Sequence, residues 1–470
     1  MGGVFQRGEQ KVRPGAYINI NQVKEEEAGY SDGVVAVLFT SSWGPLGKAV
    51  EIDRKESYET VFGSDGTTDA IAEVFAGGAQ MAVCCRVGSG GTESQTTLKK
   101  AEEDTDAVRI TAKYPGKMAF SVTVRDKLND EENRECIIYN GLKELERFTF
   151  AKAEDEISAL AENMKKSKYF LAEIVGGATG KLKNVTQEAF TTEGTAPNVT
   201  VEDYGNALAT AEMYYFDTVC VATEDADVHN LLKAYVDRLF EAGQMVKAVV
   251  AEKSTESIET RMEHAESYND EKMIYLLNSS LRFGEKVKEG YQTAARIAGM
   301  VSSCPSNLSL THAVIPDATD IVERLTPTEM EEAEQRGCLV ISMNPKRKVR
   351  IDSAINTLVN LPENMDAGWK KIRRVKTRQE LIRRMTDLAD ELMGSIDNDV
   401  NGRATLVGKL QEIGNAMVTE SKLVSCNVTE STEYVSDGDS AYLNVDVIDK
   451  DSSERIYMFM TFRFSSQITE

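Results

Sequence analysis

Four places in the chain carry side chains that could do chemistry. Glu224, Asp225 and Asp227 set three carboxylates close together after an apolar run at 218–222. Carboxylates so spaced could hold a divalent metal, as a metal-assisted α/β hydrolase would need. A simpler reading competes: an Asp that opens a helix accepts a backbone N–H as its N-cap. The second place is Gly88-Ser89-Gly90-Gly91-Thr92, which follows the strand-like run 81–87. A phosphate cradle needs such glycines, but it also needs a Lys-Ser/Thr pair and an apolar helix after them. The next residues are polar and acidic, so the turn reads as a flexible linker at a domain boundary. The third place is the histidines. There are only three, His229, His264 and His312, in different segments, and no His-Glu-x-x-His or Gly-x-Ser-x-Gly pattern accompanies them. The fourth is 366–384, where eight basic residues stand against Asp366 and Glu380. It contains one Trp and no nucleic-acid-binding motif, so it reads as a solvated helix face or as an electrostatic dock for an acidic partner. No catalytic, cofactor-binding or metal-binding residue is assigned from these patterns.

The elements that would position these groups follow from composition and period. A chain of 470 residues exceeds one ordinary core, which predicts two to four domains. The net charge of −22, from 76 acidic and 54 basic residues, opposes broad nucleic-acid binding. No apolar run is long enough to span a bilayer, and the start has no apolar signal segment. The seven scattered cysteines read as reduced, and alternation would send Cys84 and Cys85 to opposite faces of a strand.

In chain order, residues 1–16 are Gly-rich and polar and predict an N-terminal arm. Residues 17–99 hold strand-like runs at 17–20, 34–39 and 81–87, with helical stretches at 57–62 and 69–75. Short alternating runs at 108–112, 119–124, 135–139 and 147–150, then a helix at 154–165, predict a β-rich insertion domain over 100–180. Residues 176–200 read as an exposed loop. Strand-like 218–222, 246–250 and 273–277 alternate with helical 226–242, 256–265 and 289–301. That alternation predicts an α/β domain over 201–345 with a mainly parallel sheet. Residues 338–343 read as a buried strand, and Asn356 and Thr357 as polar residues making local backbone bonds. Helices at 377–397 and 401–419 follow. Leu381, Ile382, Met385, Leu388 and Leu392 lie at helical spacing on the first. Strands at 442–448 and 456–464 close an α+β C-terminal assembly domain over 346–470. The last strand is apolar enough to need covering or pairing. The fold class is therefore α+β multidomain, with extended terminal arms.

Three stretches carry a resemblance. They are Arg13-Pro14-Gly15-Ala16-Tyr17-Ile18; then Ala294-Ala295-Arg296-Ile297-Ala298-Gly299 with Asn307-Leu308-Ser309-Leu310-Thr311; and Gly337 followed by an apolar strand and Val349-Arg350-Ile351-Asp352-Ser353-Ala354-Ile355-Asn356-Thr357-Leu358. In this order they resemble the contractile tail sheath proteins of myophages, prophages and phage-tail-like bacteriocins. The resemblance implies a structural subunit, not an enzyme, that forms six-subunit rings stacked helically around an inner tail tube protein. Contraction would drive that tube through a target envelope. The expected partners are other copies of the chain, the tube, a baseplate and a tail terminator, with no cofactor, nucleic acid or membrane insertion. The particle would be a virion tail or phage-tail-like device made in the bacterial cytoplasm. By the same analogy the insertion lies outermost, and Lys370, Lys371, Arg373, Arg374, Lys376 and Arg378 are candidates for facing the tube. Arg7, Lys11, Phe459, Phe462 and Phe464 are candidates for arms that join subunits. The C-terminal ending keeps the family's β character without a close residue match.

Overall fold

The computed structural model describes residues 33–462, apart from residues 55 and 364, together with the short strands Gly3–Val4 and Tyr17–Ile18. Those two strands pair in parallel within a separate unit, Met1–Asp32.

Six short runs rich in Val, Ile and Ala build the centre of the larger unit. Val34–Phe39, Met81–Arg86, Thr218–Val221, Lys247–Val250, Met273–Leu276 and Cys338–Leu339 are almost wholly buried, as strands covered on both faces must be. They run parallel in the spatial order Cys338–Leu339, Met273–Leu276, Lys247–Val250, Thr218–Val221, Val34–Phe39, Met81–Arg86. Ala49–Asp53 adds an antiparallel edge. Stretches far apart in sequence, 34–86 and 218–339, thus share one sheet. Period-2 alternation sorts the side chains. Val35, Val37 and Phe39 meet the helices Asp69–Gly77 and Tyr291–Ser303. Val34, Ala36 and Leu38 meet Val201–Ala211, Ala226–Glu241 and Ile258–Tyr268. Cys84 and Cys85 divide between the two faces in the same way, and burial pushes the Cys85 thiol up to about 12.

On the first face two helices touch backbone to backbone. A Cβ added to Gly299 would stand 2.1 Å from the Val74 carbonyl oxygen, and one on Gly77 would stand 2.1 Å from that of Arg296. Beside this crossing the buried Glu73 carboxylate takes Arg296 Nε at 2.7 Å and also pairs with Lys288.

Between residues 93 and 189 the chain leaves the sheet and builds two antiparallel sheets. One has the order Lys143–Ala151, Asn133–Asn140, Phe120–Asp126, Val185–Ala189; the other Phe170–Ile174, Asp106–Pro115, Glu93–Lys99. The helix Glu156–Met164 and a cluster that includes Trp43, Phe120, Phe170 and Phe190 fill the space between them. The stretch 176–200 is largely exposed, as its polar composition predicts, but it is not an irregular loop. It contains the strand Val185–Ala189 and then returns along the outgoing chain, with Thr192 opposite Gln95, Thr195 opposite Thr92 and Asn198 opposite Ser89. The Gly-rich turn 88–92 is therefore one side of a two-chain stem and not a flexible linker. Its glycines allow close approach, for the Thr195 carbonyl oxygen lies 2.8 Å from where a Gly91 Cβ would sit.

The apolar run 338–343 serves two sheets. Cys338–Leu339 ends the parallel sheet, while Ile341–Met343 pairs antiparallel with Val349–Ile351. Fully buried Asn356 and Thr357 follow. One of their bonds is local, Leu358 N donating to Asn356 Oδ1 at 3.0 Å. The others reach across the molecule. Asn356 Nδ2 donates to the Trp369 carbonyl at 2.8 Å and Thr357 Oγ1 to that of Asp270 at 2.9 Å. Gly337 packs directly on the Thr357 backbone, where its φ of +83° and a Cβ contact of 2.8 Å both exclude larger residues.

Two long helices come last, Ile372–Leu392 and Val400–Thr419, then the antiparallel hairpin Leu423–Glu430 with Leu443–Asp449. The first helix begins five residues before the expected 377. The apolar run 456–464, expected as a strand, has no regular structure over its described residues, 456–462.

Candidate functional site

The acidic loop after strand Thr218–Val221 is taken up by helix ends. Asp225 Oδ1 accepts Asp227 N at 2.9 Å and caps Ala226–Glu241. Glu224 Oε1 accepts Tyr291 N at 3.3 Å, at the first turn of Tyr291–Ser303. Burial raises the Glu224 carboxyl above its ordinary value. Among the described residues no group of three or more His, Cys, Asp or Glu side chains is arranged to hold a metal ion. Glu224 and Asp225 thus spend their carboxylates on helix ends, and with Asp227 they do not form a metal-holding group among the described residues. Asp225→Ala is expected to cost about 1 kcal/mol through the lost cap, seen as a lower thermal midpoint. Of the histidines, His229 is buried and bonds the Thr223 carbonyl at 3.0 Å. His264 pairs with the buried carboxylate of Glu252 at 2.9 Å.

The basic stretch is engaged inside the subunit. Lys376 is buried, and its ammonium group donates to the carbonyls of Val301, at 2.7 Å, Ser302, at 3.0 Å, and Cys304. It thus sits at the C-terminus of Tyr291–Ser303, where unpaired carbonyls and the helix dipole favour a cation. Arg373 is buried as well. Burial takes these two out of reach of any surface partner, a correction to the reading of all six cations as outward-facing. Lys370 Nζ donates to the Glu334 carbonyl. Arg374 bridges Asp449 at 2.6 Å and Asp366 at 2.9 Å. Arg378 meets Asp449 at 3.2 Å and stacks on the Trp369 ring at 3.8 Å. Thr377 Oγ1 donates to the Ser306 carbonyl and Lys247 Nζ to Gln379 Oε1, so the first half of the helix is fastened to the α/β part. Leu381 and Met385 in its second half pack with Leu410, Met417 and Cys426.

The terminal hairpin is a two-stranded sheet with unequal edges. Gln411 occupies one: Val428 N donates to its Oε1 and its Nε2 donates to the Cys426 carbonyl, both at 2.9 Å. On the other side Leu443–Asp449 has no further strand partner among the described residues. Beside it runs a groove of about 550 Å³, whose walls include Trp369, Leu381, Ile382, Met385, Val445 and Val447. Arg374, Arg378 and Asp449 line it too. An unpaired edge beside an apolar groove is a template for an added strand.

The same chain carries an apolar segment without cover. Ile456, Tyr457, Met458, Met460 and Phe462 are exposed and Phe459 is 99% exposed. The connector before it is tied down. Lys371 Nζ meets Asp451 at 2.8 Å and Glu454 at 3.2 Å. Glu454 Oε1 accepts Ser309 Oγ at 3.0 Å and Thr311 Oγ1 at 3.2 Å. Burial tends to raise both carboxyls, but their hydrogen bonds and Lys371 hold them below the ordinary range. Sequence reading placed Ser309 and Thr311 in a motif without a contact to explain them. That contact lies more than a hundred residues downstream. Phe459 and Phe462, the expected arm residues within the described region, are where the exposure is; Arg7, Lys11 and Phe464 lie outside the described residues.

The chain is similar to known proteins in sequence and in fold. Residues 197–357 match the phage tail sheath protein central domain. An uncharacterised Bacillus subtilis (strain 168) protein, YqbK, is 23% identical over 420 residues, covering 84% of this chain and 83% of its own. The sheath tail protein of Desulfitobacterium hafniense superposes with a TM-score of 0.69 at 18% identity, over 93% of this chain and 100% of its own. The sheath of an extracellular contractile injection system in its contracted state, PVC, gives 0.53 at 11% identity, over 98% of this chain and 99% of its own. The fold is a mixed α/β one, a mainly parallel sheet with several antiparallel sheets, shared with sheath structures. Residues 197–357 match the central domain of the phage tail sheath family, and the chain shares its fold with sheath structures. The family so matched is one of structural sheath proteins.

Proposed function

We propose that this subunit polymerises through donated terminal arms into six-subunit rings stacked helically around an inner tail tube, and that contraction of the array drives the tube through a target envelope. The observation that carries the reading is the pairing of two unsatisfied features on one chain. Among the described residues the Leu443–Asp449 edge with its groove has no further strand, and 456–462 is an exposed apolar segment in no sheet. A second copy supplies each with its complement, and head-to-tail contacts of this kind propagate as a helix. The β-rich part, roughly 93–198, then forms an insertion domain on the outside, residues 33–86 and 201–345 form the α/β body, and 346–470 forms the assembly domain. Residues 1–16 form the second arm. Lys370, Lys371, Arg374 and Arg378 keep partly exposed cations for a tube surface. Baseplate and tail terminator bound the array, which is built in the bacterial cytoplasm without nucleic acid or membrane insertion.

Negative-stain electron microscopy of concentrated protein, with and without residues 1–14 and with and without residues 456–470, tests the reading. Hollow tubules from the full chain that vanish with either truncation are expected. Tubules unaffected by both truncations would refute arm-linked assembly.

A further inference from the structure

Nothing in the covalent chain forces 456–462 to leave its own subunit. A connector of six residues, 450–455, separates it from the end of Leu443–Asp449, only slightly longer than the usual hairpin loop and long enough to let the chain turn back. The open edge and groove lie beside that point. Self-closure would bury the apolar segment at once and at any concentration, leaving no edge for a neighbour. The structure instead ties residues 450–455 to the long helix and to the loop after Tyr291–Ser303. Lys371 grips Asp451 and Glu454, and Ser309 and Thr311 bond the Glu454 carboxylate. Thr311 Oγ1 also accepts Ala354 N at 3.1 Å, which fixes the hydroxyl against the core. Arg374 holds Asp449, the last strand residue, at the start of the same connector.

Resting on the arm-donation reading above, we propose that Lys371, Asp451, Glu454, Ser309 and Thr311 form a clasp that prevents the terminal segment from folding back on its own hairpin, and so commits it to a second copy of this chain. The groups facing the clasp are Lys371 and Arg374 on the long helix, Ser309 and Thr311 on the loop after Tyr291–Ser303, and Asp449, Asp451, Ser452 and Glu454 on the connector itself. The clasp works by geometry: a turn back towards Leu443–Asp449 requires both acidic residues to leave Lys371 together.

The test uses full-length protein carrying Lys371→Ser with Glu454→Gln, both partly exposed positions whose replacement leaves the core intact. Hydrogen exchange is measured on dilute monomer, and polymer yield by sedimentation at high concentration. In the unaltered protein the amides of 456–462 should exchange as an open arm. In the double variant they should slow by roughly tenfold or more, while polymer yield falls several-fold. Lys371→Arg should behave as the unaltered chain. Open-arm exchange and full polymer yield in the double variant would overturn the clasp. A chain truncated at 455 that still polymerises would overturn the arm-donation reading itself, whatever the double variant does. A matched unfolding midpoint for all variants separates both outcomes from simple misfolding.

Discussion

Gly299→Val is expected to destabilise the subunit by about 3 kcal/mol, seen as a fall in the urea midpoint with an unchanged slope. The helices Asp69–Gly77 and Tyr291–Ser303 meet where only a hydrogen atom separates their backbones. A Cβ on Gly299 would press on the Val74 carbonyl at 2.1 Å and on Gly77 Cα at 3.1 Å. Both contacts are main chain, so no side chain can swing aside, and the helices must separate. Separation would also loosen the buried Glu73 pairing with Arg296 and Lys288. Gly408 is the control. It lies within Val400–Thr419 with open space where a Cβ would go, so Gly408→Ala should stabilise by about 1 kcal/mol through helix propensity alone. Equal behaviour of the two substitutions would mean that the helix contact is not as close as described.

Lys376→Met is expected to cost about 3 kcal/mol in the isolated subunit. The methionine keeps much of the side-chain volume but cannot donate. Three carbonyls, of Val301, Ser302 and Cys304, would then lose a charged donor in a buried setting. Lys371→Met, at a partly exposed ion pair, should cost under about 1 kcal/mol. Thermal unfolding of the monomers separates these cases, with no tube protein present. A Lys376→Met subunit as stable as the parent would return that residue to the surface.

Much of the parallel sheet was legible, because buried strands are short unbroken apolar runs and their helices alternate with them. The strands at 34–39, 81–86, 218–221, 247–250 and 273–276 and the Asp225 cap all follow from local pattern. What escaped depends on partners far away in sequence. Polar residues 176–200 look like a loop until the outgoing strand at 89–95 is placed beside them. Leu423–Glu430, with apolar residues at Leu423, Cys426 and Val428, carries a partial alternation that sequence reading passed over. The early turns of Ile372–Leu392 were misjudged because Arg373, Lys376, Gln379 and Glu380 are buried, and charged residues signal burial only when their partners are known. For 456–462 the apolar pattern predicts a covered strand, whereas the described residues are exposed and without regular structure, because no partner chain is beside them.

The long helix has a mechanical consequence. Ile372–Leu392 is a rod of about 30 Å. Lys376, Thr377 and Gln379 rivet one half to the α/β body, and Leu381 and Met385 rivet the other to the hairpin side. On the proposed assembly, load applied to the hairpin through a neighbour's strand would pass along a stiff beam into the body. Compliance would then reside in the exposed segment 456–462, where no such rivets are described. A pull between subunits so linked would stretch that segment first, as a leash in series with a row of rigid blocks.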